Sequence, residues 1–282
     1  MPALKEPQFF ASEMRAGPQP EHLPGTLEEY LALFEEALPG QLLGEASPSY
    51  LRSHTAAAQI AEIQPDARII AILREPASLL RSVHLQFLQG GIETEPDLRR
   101  ALALEASRRA GRSLPRNRFW PQALYYSDHV RYVEQLRRYH DAFPAKNVLV
   151  LIYDDFRADN PTTVRTVLSF LGVADPAPIE EVQANLTVGA RSQGAHDLMY
   201  AVTVGAGPLS RMTKATVKGL TPDGARRKLL RALRRGMIYG APPAIDEELM
   251  SELRRRFEPE VVALSEYLNR DLVSLWNYGD AG

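Results

Sequence analysis

The chain has 282 residues, 45% hydrophobic and 24% charged, with a formal net charge of -2. That is ordinary globular composition, long enough for one large domain or two small ones, and it gives no global drive toward nucleic acid or an anionic membrane. Cysteine is absent, which excludes disulfides, thiolate metal sites and a cysteine nucleophile and fits a reducing compartment. No stretch approaches the roughly 18 apolar residues of a spanning helix, so a cytoplasmic protein is expected.

The first 25 residues are rich in Pro and Gly and lack periodicity. Thr26 to Leu38 reads as an amphipathic helix, capped by Thr26, with Leu27, Tyr30, Leu31, Phe34 and Leu38 at helical spacing. A short strand is expected over Gln41 to Glu45. Ser47 and Pro48 then give the cap and first turn of a helix running to about Ile63. Ala67 to Leu73 (ARIIAIL) is a continuous apolar run, which predicts a strand buried on both faces, as in a parallel sheet.

Arg74-Glu75-Pro76 follows at once, opening a helix to Leu88. Gly90 to Tyr126 is polar, irregular and arginine-bearing, and suits substrate-facing loops and short helices. Asp128 to Phe143 is expected to be helical. Asn147 to Tyr153 (NVLVLIY) is a second apolar strand, and Asn160 caps the helix after it, with Pro161 at its first position. Periodicity weakens from Gly172 to Pro222, and Pro222 to Asn277 is mostly helical, broken at Pro242-Pro243. Strands alternating with helices argue a doubly wound α/β domain, whose ligands bind at the carboxyl ends of the strands. That places Glu45 and Arg74 beside the cleft.

Arg74 emerges from the end of a buried strand just before a helix begins. Free backbone N–H groups, the positive end of the helix dipole and a guanidinium fork together make an anion site. Ser82, two turns into that helix, can add a hydroxyl. The alternative is that Arg74 pairs with a surface carboxylate and Ser82 is only a tolerated helical residue. Arg226 to Arg235 (RRKLLRALRR) is a basic run with Leu229, Leu230 and Leu233 on one face, which fits a solvated helix better than a separate binding site. The six histidines show no metal-ligand spacing, and no metal is expected.

Four segments in order resemble the sulfotransferases that use 3′-phosphoadenosine-5′-phosphosulfate (PAPS). Strand-Arg74-x-Pro76 with Ser82 resembles the element by which that family holds the 3′-phosphate. Lys5-Glu6-Pro7-Gln8-Phe9-Phe10 resembles the loop in which the glycan sulfotransferases carry a catalytic Glu before a Phe-Phe pair. Gly44-Glu45-Ala46-Ser47-Pro48-Ser49-Tyr50 resembles their G-E-x-[ST]-P-x-Y element. Asn147 to Phe156, with Asn160-Pro161, resembles the strand and helix that close their sheet.

The resemblance implies a P-loop-NTPase-like three-layer α/β domain spanning residues 1–282, a central parallel sheet flanked by helices. It implies Glu6 as the base, PAPS as co-substrate without a metal, and a small-molecule or glycan acceptor. Lys5 would neutralise charge on the leaving phosphate or on an acidic acceptor, or stand free in solvent. Glu45 would fix a loop or contact the acceptor, and Arg191, in a late loop (NLTVGARSQG), would close over the nucleotide.

Three departures stand out. Ala46 occupies a position where some glycan sulfotransferases have Lys, Leu79 one where a second Arg is common, and no Gly-rich K-x-G-[ST]-[ST] loop occurs. The expectation is that the chain begins downstream of that loop and of the first strand. The alternative from another class is a non-catalytic nucleotide-binding or interaction protein that keeps the Arg74 site.

Overall fold

The computed structural model describes residues 2, 4–16, 22–115, 120–174, 179, 189–190, 239–240 and 244–279. They gather into two compact units. The first comprises Met1–Pro76, Arg118–Val182 and Glu252–Gly282, and the second Ala77–Asn117 and Gln183–Ser251.

The first unit is built on two parallel strands, β1 (Ile69–Leu73) and β2 (Val148–Ile152), in register from Ile69 opposite Val148 to Leu73 opposite Ile152. Both end at the same edge, so Arg74 and Tyr153 leave the sheet side by side. Burial differs from the expectation of two covered faces. Ala71 and Leu73 are buried, while Ile70 and Ile72 on the other face stand 40% and 49% exposed. Sequence hydrophobicity sets what a strand can bury, and the neighbours decide what is covered.

Before β1 come α1 (Leu27–Ala32), α2 (Ser49–Arg52) and α3 (Ala56–Ile63). The cap on α1 is as expected: Thr26 accepts from the Glu29 N–H, and the Glu29 carboxylate accepts from the Thr26 N–H, a reciprocal capping box. Two other expectations fail. Gln41 to Glu45 forms no ladder, and Leu42 and Leu43 are exposed; an extended run becomes a strand only where a partner accepts its backbone bonds. The helix expected from Pro48 to Ile63 is split at Ser53. There the Ser53 hydroxyl accepts from the Ala56 N–H at 2.9 Å, and Ser53 itself is extended, so a side chain has replaced the backbone ladder and starts a new helix.

The core of this unit is aromatic. Phe10, Tyr30 and Ala56 are buried, with Phe9, Phe34, Tyr50 and Ile60 packed against them. Phe9 stacks on Tyr30 at 4.8 Å between centroids, and Phe10 meets Tyr30 and Tyr50 edge to face. A second cluster joins Ala57 of α3 to Tyr139 and Phe143, beside Ile69 and Val148.

Helix α4 (Pro76–Gly90) follows β1, and the second unit continues with α5 (Leu98–Ala103) and α6 (Glu105–Arg109). Glu93 and Arg108 form a fully buried two-pronged ion pair there, at 2.7 and 2.8 Å. Gly189–Ala190 and Tyr239–Gly240 form a two-residue antiparallel bridge.

Back in the first unit, α7 (Tyr132–Ala142) precedes β2, and α8 (Tyr153–Ala158) and α9 (Asn160–Leu171) follow it. The cap on α9 is Asp159 rather than Asn160; its carboxylate accepts the Thr162 N–H at 3.0 Å. Gly172 ends α9 at φ 65, the left-handed turn that glycine adopts without a Cβ penalty.

The C-terminal helices α10 (Glu247–Leu268) and α11 (Leu272–Leu275) bear out the helical expectation for 247–275. Pro242-Pro243 and the basic run 226–235 lie outside the described residues. No helix among the described residues is long and apolar enough to cross a membrane.

Candidate active site

The loop carrying Glu6 has a left-handed backbone at two non-glycine residues, Glu6 at φ 54 and Gln8 at φ 53. Such a conformation costs energy and persists only where its surroundings fix it. Three contacts do so. The Gln8 N–H donates to Ser47 Oγ at 3.0 Å, the Phe10 N–H to the Tyr50 hydroxyl at 3.4 Å, and Arg15 Nη2 to the Gln8 carbonyl at 3.1 Å. A 3-10 turn over Phe9–Met14 then buries Phe10 and sends the Glu13 carboxylate to Thr55 Oγ1 at 2.9 Å and the His54 N–H at 3.0 Å. Glu6 itself is half-buried, and the exposed Lys5 ammonium lies 3.8 Å from its carboxylate.

Glu45 sits against this loop. Its Oε2 accepts from Ser47 Oγ at 3.1 Å, while Oε1 is buried without a hydrogen bond among the described residues. Burial pushes the Glu45 carboxyl above its ordinary range; the hydroxyls of Tyr50, Ser47 and Tyr30 pull it down, and the Glu6 carboxylate raises it further. The phenols of Tyr50 and Tyr30 are raised in turn by burial and by Glu45 beside them. Glu6, Glu45, Ser47 and Tyr50 therefore belong to one polar cluster. Sequence spacing could not have joined Gln8 to Ser47, which are 39 residues apart.

Arg74 stands where expected, at the end of β1 and the start of α4. Its guanidinium lies 5.0 Å from the centroid of the Tyr153 ring. It makes no ion pair among the described residues. The surface-carboxylate alternative thus has no counterpart there. No acidic residue occupies the first turn of α4, and Glu75 immediately precedes it. The backbone at Arg74 is held from behind: its carbonyl accepts the Tyr132 hydroxyl at 2.7 Å, and the Tyr278 hydroxyl donates to the neighbouring Glu75 at 2.5 Å. Neither tyrosine was singled out from the sequence, because each acts across long separations.

The C-terminal helices fasten the same edge of the sheet. Arg270 grips Asp155 at 2.5 and 2.7 Å, and Trp276 Nε1 donates to Asp154 at 2.9 Å. Among the described residues, no hydrogen bond or ion pair joins Arg74 to Glu6 or Glu45. Ser82 is half-buried on α4, in the second unit. Arg191 lies outside the described residues.

Residues 28–177, just over half of the chain, match the family model described as "Sulfotransferase family". The chain belongs to the sulfotransferase family. The matched span holds Glu45, Arg74 and Ser82 and starts after Glu6. The fold agrees. A crystal structure of a sulfotransferase from Alicyclobacillus acidocaldarius aligns with a TM-score of 0.65, covering 98% of this sulfotransferase and 87% of that chain. At 22% identity that likeness shows the shared fold alone: helices around a parallel sheet, of which two strands are described here. Among curated proteins, no relative matches the chain.

Proposed function

We propose that this sulfotransferase moves a sulfonyl group from PAPS to an acceptor hydroxyl or amine, acting as a single domain in the cytoplasm. The acceptor is a small molecule or a glycan. Arg74 and Ser82 hold the 3′-phosphate, and Arg191 closes over the nucleotide. Glu6 takes the proton from the acceptor as its oxygen or nitrogen attacks sulfur; the sulfur–oxygen bond to the 5′-phosphate breaks, and 3′-phosphoadenosine 5′-phosphate departs with that electron pair. Lys5 offsets charge on the leaving phosphate, and Glu45 shapes the acceptor side. The transfer needs no metal.

The observation that carries this is Arg74: a guanidinium at the carboxyl end of a parallel strand, beside a helix whose first turn has no acidic residue, without a carboxylate partner among the described residues. Calorimetric titration with 3′-phosphoadenosine 5′-phosphate tests it. Wild-type protein should bind at micromolar Kd. Arg74→Ala should lose about tenfold or more, the loss of a charge-assisted contact of roughly 1.5–3 kcal/mol. Equal affinity in the two proteins would remove Arg74 from the site. For the chemistry, Glu6→Gln should bind the nucleotide normally and fail to transfer the sulfonyl group.

A further inference from the structure

Of the three contacts that fix the Glu6 loop, one runs through a buried hydroxyl that is itself oriented by a carboxylate. Ser47, 7% exposed, accepts the Gln8 N–H at 3.0 Å and donates to Glu45 Oε2 at 3.1 Å. Gln8 and Glu6 are the two left-handed residues of the loop, and Gln8 lies two residues beyond Glu6. A hydrogen bond at Gln8 therefore selects the turn that aims Glu6. The acceptor role of Ser47 Oγ is set by its own donation: with its proton committed to the carboxylate of Glu45, a lone pair must face the Gln8 amide. Glu45 orders Ser47, Ser47 orders Gln8, and Gln8 places Glu6.

We propose that Ser47 is a positioning residue for sulfonyl transfer, holding the Glu6 carboxylate in its reactive orientation through Gln8 and keyed by Glu45. Arg15 supports the same residue from its carbonyl side, at 3.1 Å. The proposal rests on Glu6 being the base. A geometric effect of this kind lowers turnover and leaves nucleotide affinity alone, because the hydroxyl does not touch the nucleotide-binding Arg74. A misplacement of about 1 Å at a reacting group costs on the order of a hundredfold in rate.

The test measures radiolabelled sulfonyl transfer from PAPS to glucosamine, whose hydroxyls stay protonated near neutral pH and so call on a base, by wild type, Ser47→Ala, Ser47→Cys and Glu6→Gln, with nucleotide titration and amide hydrogen exchange alongside. Ser47→Cys keeps the side-chain volume while weakening both hydrogen bonds, so it reports even if Ser47→Ala folds poorly. Both Ser47 variants should lose roughly tenfold to a hundredfold in kcat. Their KM for PAPS and nucleotide Kd should stay within about twofold, while the Gln8 amide exchanges faster. Wild-type kcat in either folded Ser47 variant, with Glu6→Gln inactive, overturns the role of Ser47 and leaves Glu6 as base. A parallel fall of kcat and nucleotide affinity also overturns it, marking a general structural role. Full activity in Glu6→Gln, or no transfer by the wild type, overturns the base assignment and this proposal with it.

Discussion

The Tyr132 hydroxyl donates to the Arg74 carbonyl oxygen at 2.7 Å, so the first residue of α7 fixes the backbone at the end of β1. Tyr132 is 2% exposed. The guanidinium of the same arginine is held over Tyr153. Arg74 is thus anchored at both ends without a carboxylate among the described residues. Tyr132→Phe should cost about 1 kcal/mol of stability in urea unfolding, the net value of one buried hydrogen bond. It should weaken nucleotide binding severalfold, less than Arg74→Ala does, because the guanidinium survives while its aim loosens.

The buried Glu93–Arg108 pair gives a second prediction. Both side chains are excluded from solvent, and the two prongs plus the Thr94 and Glu95 N–H groups satisfy the carboxylate. Burial alone would raise the Glu93 pKa, but the Arg108 hydrogen bonds and charge outweigh it and hold it below the ordinary range. Its contribution to stability is therefore present above the ordinary carboxylate pKa and lost as pH falls through the depressed folded value. Glu93→Gln or Arg108→Met alone should cost about 3–5 kcal/mol, since each strands its partner. The double replacement Glu93→Leu with Arg108→Met should cost much less than the two single losses combined. Urea titrations of the four proteins decide this.

How much of this was written in the sequence follows from range. The apolar runs around Ile69–Leu73 and Val148–Ile152 announced the parallel strands, while the burial of both faces that such runs suggest did not follow for β1. Thr26 and Pro76 marked helix starts through local chemistry. Gln41 to Glu45 misled, since an extended segment becomes a strand only by pairing, and its neighbours are not local. Ser53 broke a helix by a hydrogen bond that periodicity does not register. The site divides in the same way. Arg74 was legible from strand, Pro and helix, all within three residues. Tyr132 and Tyr278 were not, and Ser47 was visible only as a cap and as part of a motif; their partners lie 58, 203 and 39 residues away.

A third prediction concerns the sheet edge. Arg270 and Asp155 form a two-pronged pair, with side chains 37% and 47% exposed. Arg270 holds the Asp155 carboxyl below its ordinary value. Solvent screening keeps such a pair modest, so Arg270→Ala should cost about 1 kcal/mol or less in urea unfolding. High salt should shrink the difference between the two proteins.

Two buried histidines bear on stability in acid. His129 is buried, with Nε2 donating to the Ala123 carbonyl at 2.8 Å. Burial, and then the Arg52 charge, push its pKa well below 6.5; burial lowers His84 as well. Below 6.5 the unfolded chain takes up these protons while the folded one does not. Stability is therefore full above that pH and declines beneath it, by up to about 1.4 kcal/mol per pH unit for each histidine. Glu45 and Glu260, whose carboxyls are raised chiefly by burial, act in the opposite sense and lose their contribution as pH climbs past the ordinary carboxyl range. Between pH 6.5 and 5 the histidines and the two raised carboxyls tilt the stability curve in opposite senses, so the histidine share of that slope is read from a variant rather than from the wild type alone. His129→Gln, which retains a donor for Ala123, should flatten that slope by about one proton's worth in urea titrations across this window. An unchanged slope would mean that the folded protein protonates His129 as readily as the unfolded chain does.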